Sequence, residues 1–234
     1  MGITRRNFVT AGTAAVCGLA LVSGSAQAQP VVEGERIELP TPRKTGGMPL
    51  LDALSTRKTT RVYSSRMLDA QTLSSLLWAA FGISREDGRR TAPSALNSQE
   101  IQIYVILEGG IYVYEPKEHA LERKLEGDFR KLAGTQSYAQ SVPVSFVYVA
   151  DLEKSLTSPE SSESYACVDC GFIGQNVYLF AAANGLSSAF RGSIDRSAIS
   201  ETLKLKASQR VLYGQSIGYA DDEILHTAPI QLKK

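Results

Sequence analysis

The sequence predicts an α+β fold: a central sheet of mostly antiparallel strands with helices on both faces. Three observations carry this. The runs rich in Ile, Val and Tyr pair through short turns, as in "IQIYVIL" and "GIYVY" (101–114) around Glu108-Gly109-Gly110. One long helical pattern, 161–185, is apolar almost all round and reads as a buried central helix. Strands and helices also mix without the regular alternation of a parallel βαβ sheet.

Residues 1–28 read as an export signal. Arg5-Arg6 stands directly before Asn7-Phe8, a twin-arginine signature, and an apolar run leads to the small-x-small triplet Ala26-Gln27-Ala28. That run is short and rich in Gly, Ala and Ser, unlike a spanning helix, and Cys17 lacks a lipobox. The expected location is periplasmic or otherwise exported, with no stable membrane insertion. Cleavage would remove Arg5 and Arg6 and turn a formal charge of +1 weakly negative. Without a basic cluster or a long acidic block, nothing points to nucleic acid. Residues 29–47 read as an extended lead-in, and 48–234 as one domain.

Within that domain, "MPLLDALSTR" (48–57) is a short helix with Leu50, Leu51 and Leu54 on one side. The next helix, 68–82, has Asp69 as cap, Leu68 and Leu73 as staple and Gly82 as stop; Leu73, Leu76, Leu77 and Ala80 form its buried stripe. After the 101–114 hairpin, "LERKLEGDFRKLAG" (121–134) reads as a solvated amphipathic helix. Residues 143–151 alternate as a strand. The long helix stops at Asn184-Gly185, and 186–192 is a short strand or loop. Residues 195–205 form a helix capped by Asp195, and 210–220 form the last strand.

Several chemistries lack their residues. There is no Walker loop and no GxGxxG after a strand. His119 and His226 have no metal-ligand spacing, and neither accompanies a nucleophile elbow. Cys167 and Cys170 form a CxxC, but inside an apolar helix rather than at a helix N-terminus, where the dipole would activate a thiol.

Two segments carry more. In "STRKTTRVY" (55–63), alternation along an extended chain places Arg57, Thr59 and Arg61 on one face, beside Lys58. Two guanidinium forks and a hydroxyl suit a phosphate; the same residues also suit a solvated basic turn. In "RRTAPSALNSQ" (89–99), small hydrogen-bonding residues lead straight into a buried strand, which fits an ordinary connection or a ligand cradle.

In order and wording, the basic turn, "LLWAAFGI", "PSALNSQ" and "GQNVYLFAAANGL" resemble the nitroreductase superfamily of FMN flavoproteins, with the nearest likeness to exported members and the thiazoline-oxidising dehydrogenase branch. The resemblance spans roughly 45–220. It implies a homodimer with one FMN at each of two interfacial sites, ping-pong hydride transfer through flavin N5, and small-molecule electron donors and acceptors. Residue by residue, it assigns Arg57, Lys58, Thr59 and Arg61 to the phosphate and ribityl chain. It assigns Pro93, Ser94, Ala95 and Asn97 to the flavin edge, often from the partner subunit, with Gln99 ordering that loop. Arg191 and Gly192 fall where a residue after the long helix meets N5. No protein side chain need be catalytic, because the flavin itself carries the hydride.

This chain departs from the pattern in three places. Ala220-Asp221-Asp222 follows the last strand where many members carry a basic residue, leaving only Lys233 and Lys234 beyond it. Glu100-Ile101 replaces Pro-Trp after Gln99. NAD(P)H, the usual donor, is scarce outside the cytoplasm. Two other functions remain open: a non-catalytic flavin carrier or sensor, and a CxxC thiol–disulfide protein.

Overall fold

The computed structural model describes residues 36–221; the twin-arginine signal, Cys17, His226, Lys233 and Lys234 lie outside them. Seven strands form one sheet in the order β1-β4-β3-β2-β5-β7-β6. They are β1 (Arg36–Glu38), β2 (Ile101–Leu107), β3 (Gly110–Glu115), β4 (Ala120–Glu126), β5 (Val144–Asp151), β6 (Leu186–Arg191) and β7 (Gln209–Tyr219). Every pairing is antiparallel. The helices are α1 (Leu50–Thr56), α2 (Ala70–Phe81), α3 (Pro159–Ala183) and α4 (Arg196–Leu203).

The predicted fold class holds. On one face of the sheet, α2 and α3 cover a core that includes Phe146, Tyr148, Leu76, Leu77, Ile173 and Val177. On the other, Ile199 of α4 packs with Tyr104, Ile106, Val147 and Val211. The α2 start follows the sequence: Asp69 accepts from the Thr72 N–H at 2.8 Å, and Leu73, Leu76, Leu77 and Ala80 are buried. Gly174 is needed where α3 crosses β6, because a Cβ there would lie 2.6 Å from the Phe190 ring.

Two expectations are corrected. Residues 121–134 are not an amphipathic helix but β4 followed by a 3-10 turn, Arg130–Leu132. The spacing of Leu121 and Leu125 satisfies a helix, yet the open edge of β3 offers a full ladder of backbone partners. As a strand, the segment buries Leu121 and leaves Glu122 and Lys124, two residues apart, to pair at 3.1 Å. The long helix α3 is not buried all round either. Tyr165, Val168 and Phe172, at helical spacing, are 47%, 51% and 44% exposed. Apolar composition marks a face that leaves water, but not what covers it.

Candidate functional site

The basic turn begins where α1 ends, at Arg57, and runs extended along the far edge of the sheet. Its backbone is sewn to the last strands: the Thr60 N–H donates to the Ser188 carbonyl at 3.0 Å and the Ser64 N–H to the Tyr219 carbonyl at 3.0 Å. Thr60 is buried between exposed Thr59 and Arg61, but Lys58 is exposed as well, so the predicted alternation holds only over 59–61. Tyr178 of α3 organises the turn. Its hydroxyl accepts from the Phe190 N–H at 2.8 Å and shares a hydrogen bond with Thr59 Oγ1 at 2.9 Å. The Arg57 guanidinium lies over the same ring, 5.4 Å from its centroid. Lys58 and Arg61 are exposed. Among the described residues, none of these three cations pairs with a carboxylate. Beside them is a cavity of about 260 Å³, lined by Lys58, Thr60, Tyr178 and Ser187 among others.

The second segment is a strained loop. Leu96, Asn97 and Gln99 have φ of 51°, 58° and 51°, a left-handed backbone that non-glycine residues seldom adopt. A dense set of bonds holds it there. Asn97 N–H donates to the Ser94 carbonyl at 2.9 Å, Gln99 N–H to Ser94 Oγ at 3.0 Å, and Ser98 Oγ to the Ala95 carbonyl at 2.7 Å. Gln99 is the hub: its amide donates to Asn97 Oδ1 at 3.0 Å and to the Gly88 carbonyl at 3.2 Å, and accepts from Arg90 Nε at 2.8 Å. The Ala95 N–H donates to Asp169 of α3 at 2.9 Å. Pro93, Leu96 and Asn97 remain exposed, Leu96 at 68%. The Asn97 oxygen is taken by Gln99, and no bond within the described residues uses its NH₂.

Asp169 and Tyr178 stand roughly 13 Å apart along the axis of α3, at the α-helical rise per residue. One chain therefore brings Arg57 and Thr59 to the end of β6 through Tyr178, and sets the 93–99 loop on another part of the same helix.

The Arg191 side chain is turned inward. It is 5% exposed and donates to the Ala133 carbonyl, to Ser216 Oγ at 2.6 Å and to Ser145 Oγ at 3.4 Å. Its guanidinium ties the 130–135 segment to the sheet, so it offers a ligand no side chain. Gly192, next to it, is exposed. Sequence reasoning did not single out Tyr178, although it lies within the quoted "GQNVYLFAAANGL". Nor did it find Arg66, whose guanidinium stacks 3.9 Å from the Tyr219 ring centroid. That places a cation at the end of the last strand, where the downstream sequence supplies Ala220-Asp221.

The other candidates are structural. Cys167 and Cys170 are both free thiols, and burial pushes the Cys170 thiol well up, away from the reactive thiolate. His119 is held between Ser74 Oγ at 2.8 Å and the Tyr114 hydroxyl at 2.9 Å. The described residues contain no cluster suited to a metal ion.

Known proteins resemble this chain over most of its length. The nitroreductase family profile matches residues 54–219. The "Putative nitroreductase MJ1384" of Methanocaldococcus jannaschii is 32% identical over 168 residues, 67% of this chain and 85% of that protein. The crystal structure of a putative nitroreductase from Ralstonia eutropha JMP134 superposes with a TM-score of 0.76 at 35% identity, covering 83% of this chain and 94% of the other. A putative NADH oxidase from Clostridium acetobutylicum, 21% identical, shares the fold at a TM-score of 0.54 over 73% of this chain and 89% of its own. The family match and the identity to the archaeal relative together show that this chain belongs to the nitroreductase family, whose members are oxidoreductases that typically bind a flavin.

Proposed function

We propose that this protein is an FMN-dependent oxidoreductase, working as a homodimer that passes electron pairs between small molecules. The observation that carries the reading is the basic turn: Arg57, Lys58 and Arg61, uncompensated by any carboxylate among the described residues, on a backbone pinned to β6 and β7. Such a turn suits a phosphate monoester, which accepts several charge-assisted bonds at once. The residues therefore fit the group.

Bound FMN would supply hydride chemistry at its N5. Arg57, Lys58 and Thr59 would hold the phosphate and ribityl chain, with Tyr178 fixing the Thr59 hydroxyl. Arg61 would stand by the pyrimidine end, where a cation stabilises negative charge in the reduced state. Arg66, at the end of β7, is the cation closest to the role that many members give to a residue after the last strand. The Asn97 amide, with Pro93, Ser94 and Ala95, would meet the flavin edge; Gln99 keeps that loop in shape. Gly192, exposed after β6, would leave its backbone open toward N5.

The site is shared between two copies. Large exposed apolar side chains gather on α1 (Leu50, Leu51, Leu54), on α3 (Tyr165, Val168, Phe172) and on the loop (Leu96). A surface of that kind calls for a cover, and a second copy would bring its loop to the first copy's basic turn. The leader at residues 1–28 supports export through the twin-arginine route, which carries folded proteins; size and activity of the protein in a periplasmic fraction test that.

Mixing two inactive variants tests the shared site. Arg57→Ala with Arg61→Ala damages the turn, and Asn97→Ala damages the loop. Hybrid dimers of the two contain one intact site and should regain FMN at about half the wild-type occupancy. If the mixture binds no more than its parents, the site is not shared.

A further inference from the structure

Beneath the cradle loop lies a pair of carboxyl groups that the flavin reading leaves without a role. Glu100 and Asp169 are each 2% exposed, in the single chain as it stands, so a second copy does not reach them directly. Neither oxygen of Glu100 has a donor within hydrogen-bonding distance among the described residues. Asp169 faces it from α3, and accepts the Ala95 N–H at 2.9 Å.

Burial disfavours the Glu100 charge, and the carboxylate of Asp169 beside it disfavours that charge further. A single proton between them turns repulsion into a short O–H···O⁻ bond. We propose that Glu100 keeps its proton and donates it to Asp169, and that this bond is a latch which holds Asp169 on Ala95 and so keeps the 94–99 loop in its strained, binding-ready shape. Glu100 is the donor; Asp169 accepts from Glu100 and from Ala95 together. Glu100 is thus a positioning residue for the loop.

The surroundings fit this assignment. The thiol of Cys170, also from α3, is neutral and adds no charge. Asp151, whose N–H donates to the Glu100 carbonyl at 3.0 Å, directs its carboxylate to Ser208 at 3.2 Å. Glu153 and Lys154, on the turn after β5, are exposed. Between Thr91 and Gln99 the loop has no ionisable side chain. No cation on these elements takes the place of the proton. Burial and the adjoining Asp169 raise the Glu100 carboxyl to about 7.

When the loop opens, Glu100 meets water and returns to an ordinary carboxyl. The closed form therefore holds the extra proton between the ordinary value, 4.5, and about 7. The latch is tightest at the acid end of that window and loosens as pH rises through it. Above it, both forms are deprotonated and the dependence ends.

The effect on flavin rests on the FMN reading, but the latch can be measured without any flavin. Hydrogen exchange at the Ala95 amide in the full chain, divided by the intrinsic rate, should lose up to about tenfold protection per pH unit from 5 to 7, and level off by 8. Glu100→Gln, which keeps a donor but no titration, should give a flat profile. If that variant does not fold, Asp169→Asn, which retains an oxygen for Ala95 but removes the neighbouring charge, makes a second comparison: Glu100 stays buried, so the slope should become shallower without vanishing. A wild-type profile without the slope, a Glu100→Gln profile that keeps it, or an Asp169→Asn profile as steep as the wild type overturns the latch. FMN titration of the same samples separates the two ideas. A slope with no flavin binding keeps the latch and sinks the flavin reading; binding with no slope does the reverse.

Discussion

The Tyr178 hydroxyl joins two segments that lie far apart in sequence: it meets Thr59 Oγ1 at 2.9 Å and takes the Phe190 N–H at 2.8 Å. The basic turn therefore depends on α3 for its shape. Tyr178→Phe should leave the Phe190 N–H without that acceptor, at a cost of about 1–3 kcal/mol in stability. FMN affinity should also fall, since Thr59 loses its partner. Urea unfolding and fluorescence titration with FMN measure the two effects.

Arg57 and the phosphate form the next test. A charge-assisted bond contributes about 1.5–3 kcal/mol, so Arg57→Ala should weaken FMN by roughly tenfold to a hundredfold. Riboflavin, which has no phosphate, should bind wild type and variant almost alike. Equal losses for both ligands would place Arg57 elsewhere.

Arg191 separates a structural role from a functional one. Its guanidinium is buried and bonded to the Ala133 carbonyl and to Ser216 and Ser145. Arg191→Ala should cost roughly 2–4 kcal/mol, because the carbonyl and two hydroxyls lose a charged donor together. The flavin bound per folded molecule should not change. Thermal unfolding followed by flavin occupancy of the folded fraction checks both halves.

Global stability should also follow Glu100. Its folded value, about 7, lies above its ordinary 4.5, so the native state binds the extra proton within that window. Stability then falls as pH rises through it, by at most about 1.4 kcal/mol per unit. Denaturation midpoints at pH 5, 6 and 7 should fall less steeply in Glu100→Gln than in the wild type.

The fold was largely legible in the sequence because its signals are local. Asp69 caps α2 as its position predicts, and the 101–114 hairpin turns where Gly109-Gly110 stands. Residues 121–134 misled because leucine spacing fits two periods, and only the edge of β3 decides between them. The inner wiring of the 93–99 loop was partly legible: Gln99 does hold the loop, through bonds a sequence suggests but does not locate. Tyr178, Arg66 and the Glu100–Asp169 contact were not, since each depends on segments brought together only by the sheet. Arg191 looked like a ligand contact by position, and the backbone carries its side chain to the opposite use.

The most direct test is the visible absorption spectrum of the full-length protein purified from its native compartment, with heat release and identification of any chromophore. About one FMN released per chain is the expected result. A colourless protein that also takes up no added FMN would contradict the assignment of the basic turn and the 93–99 loop as a flavin site.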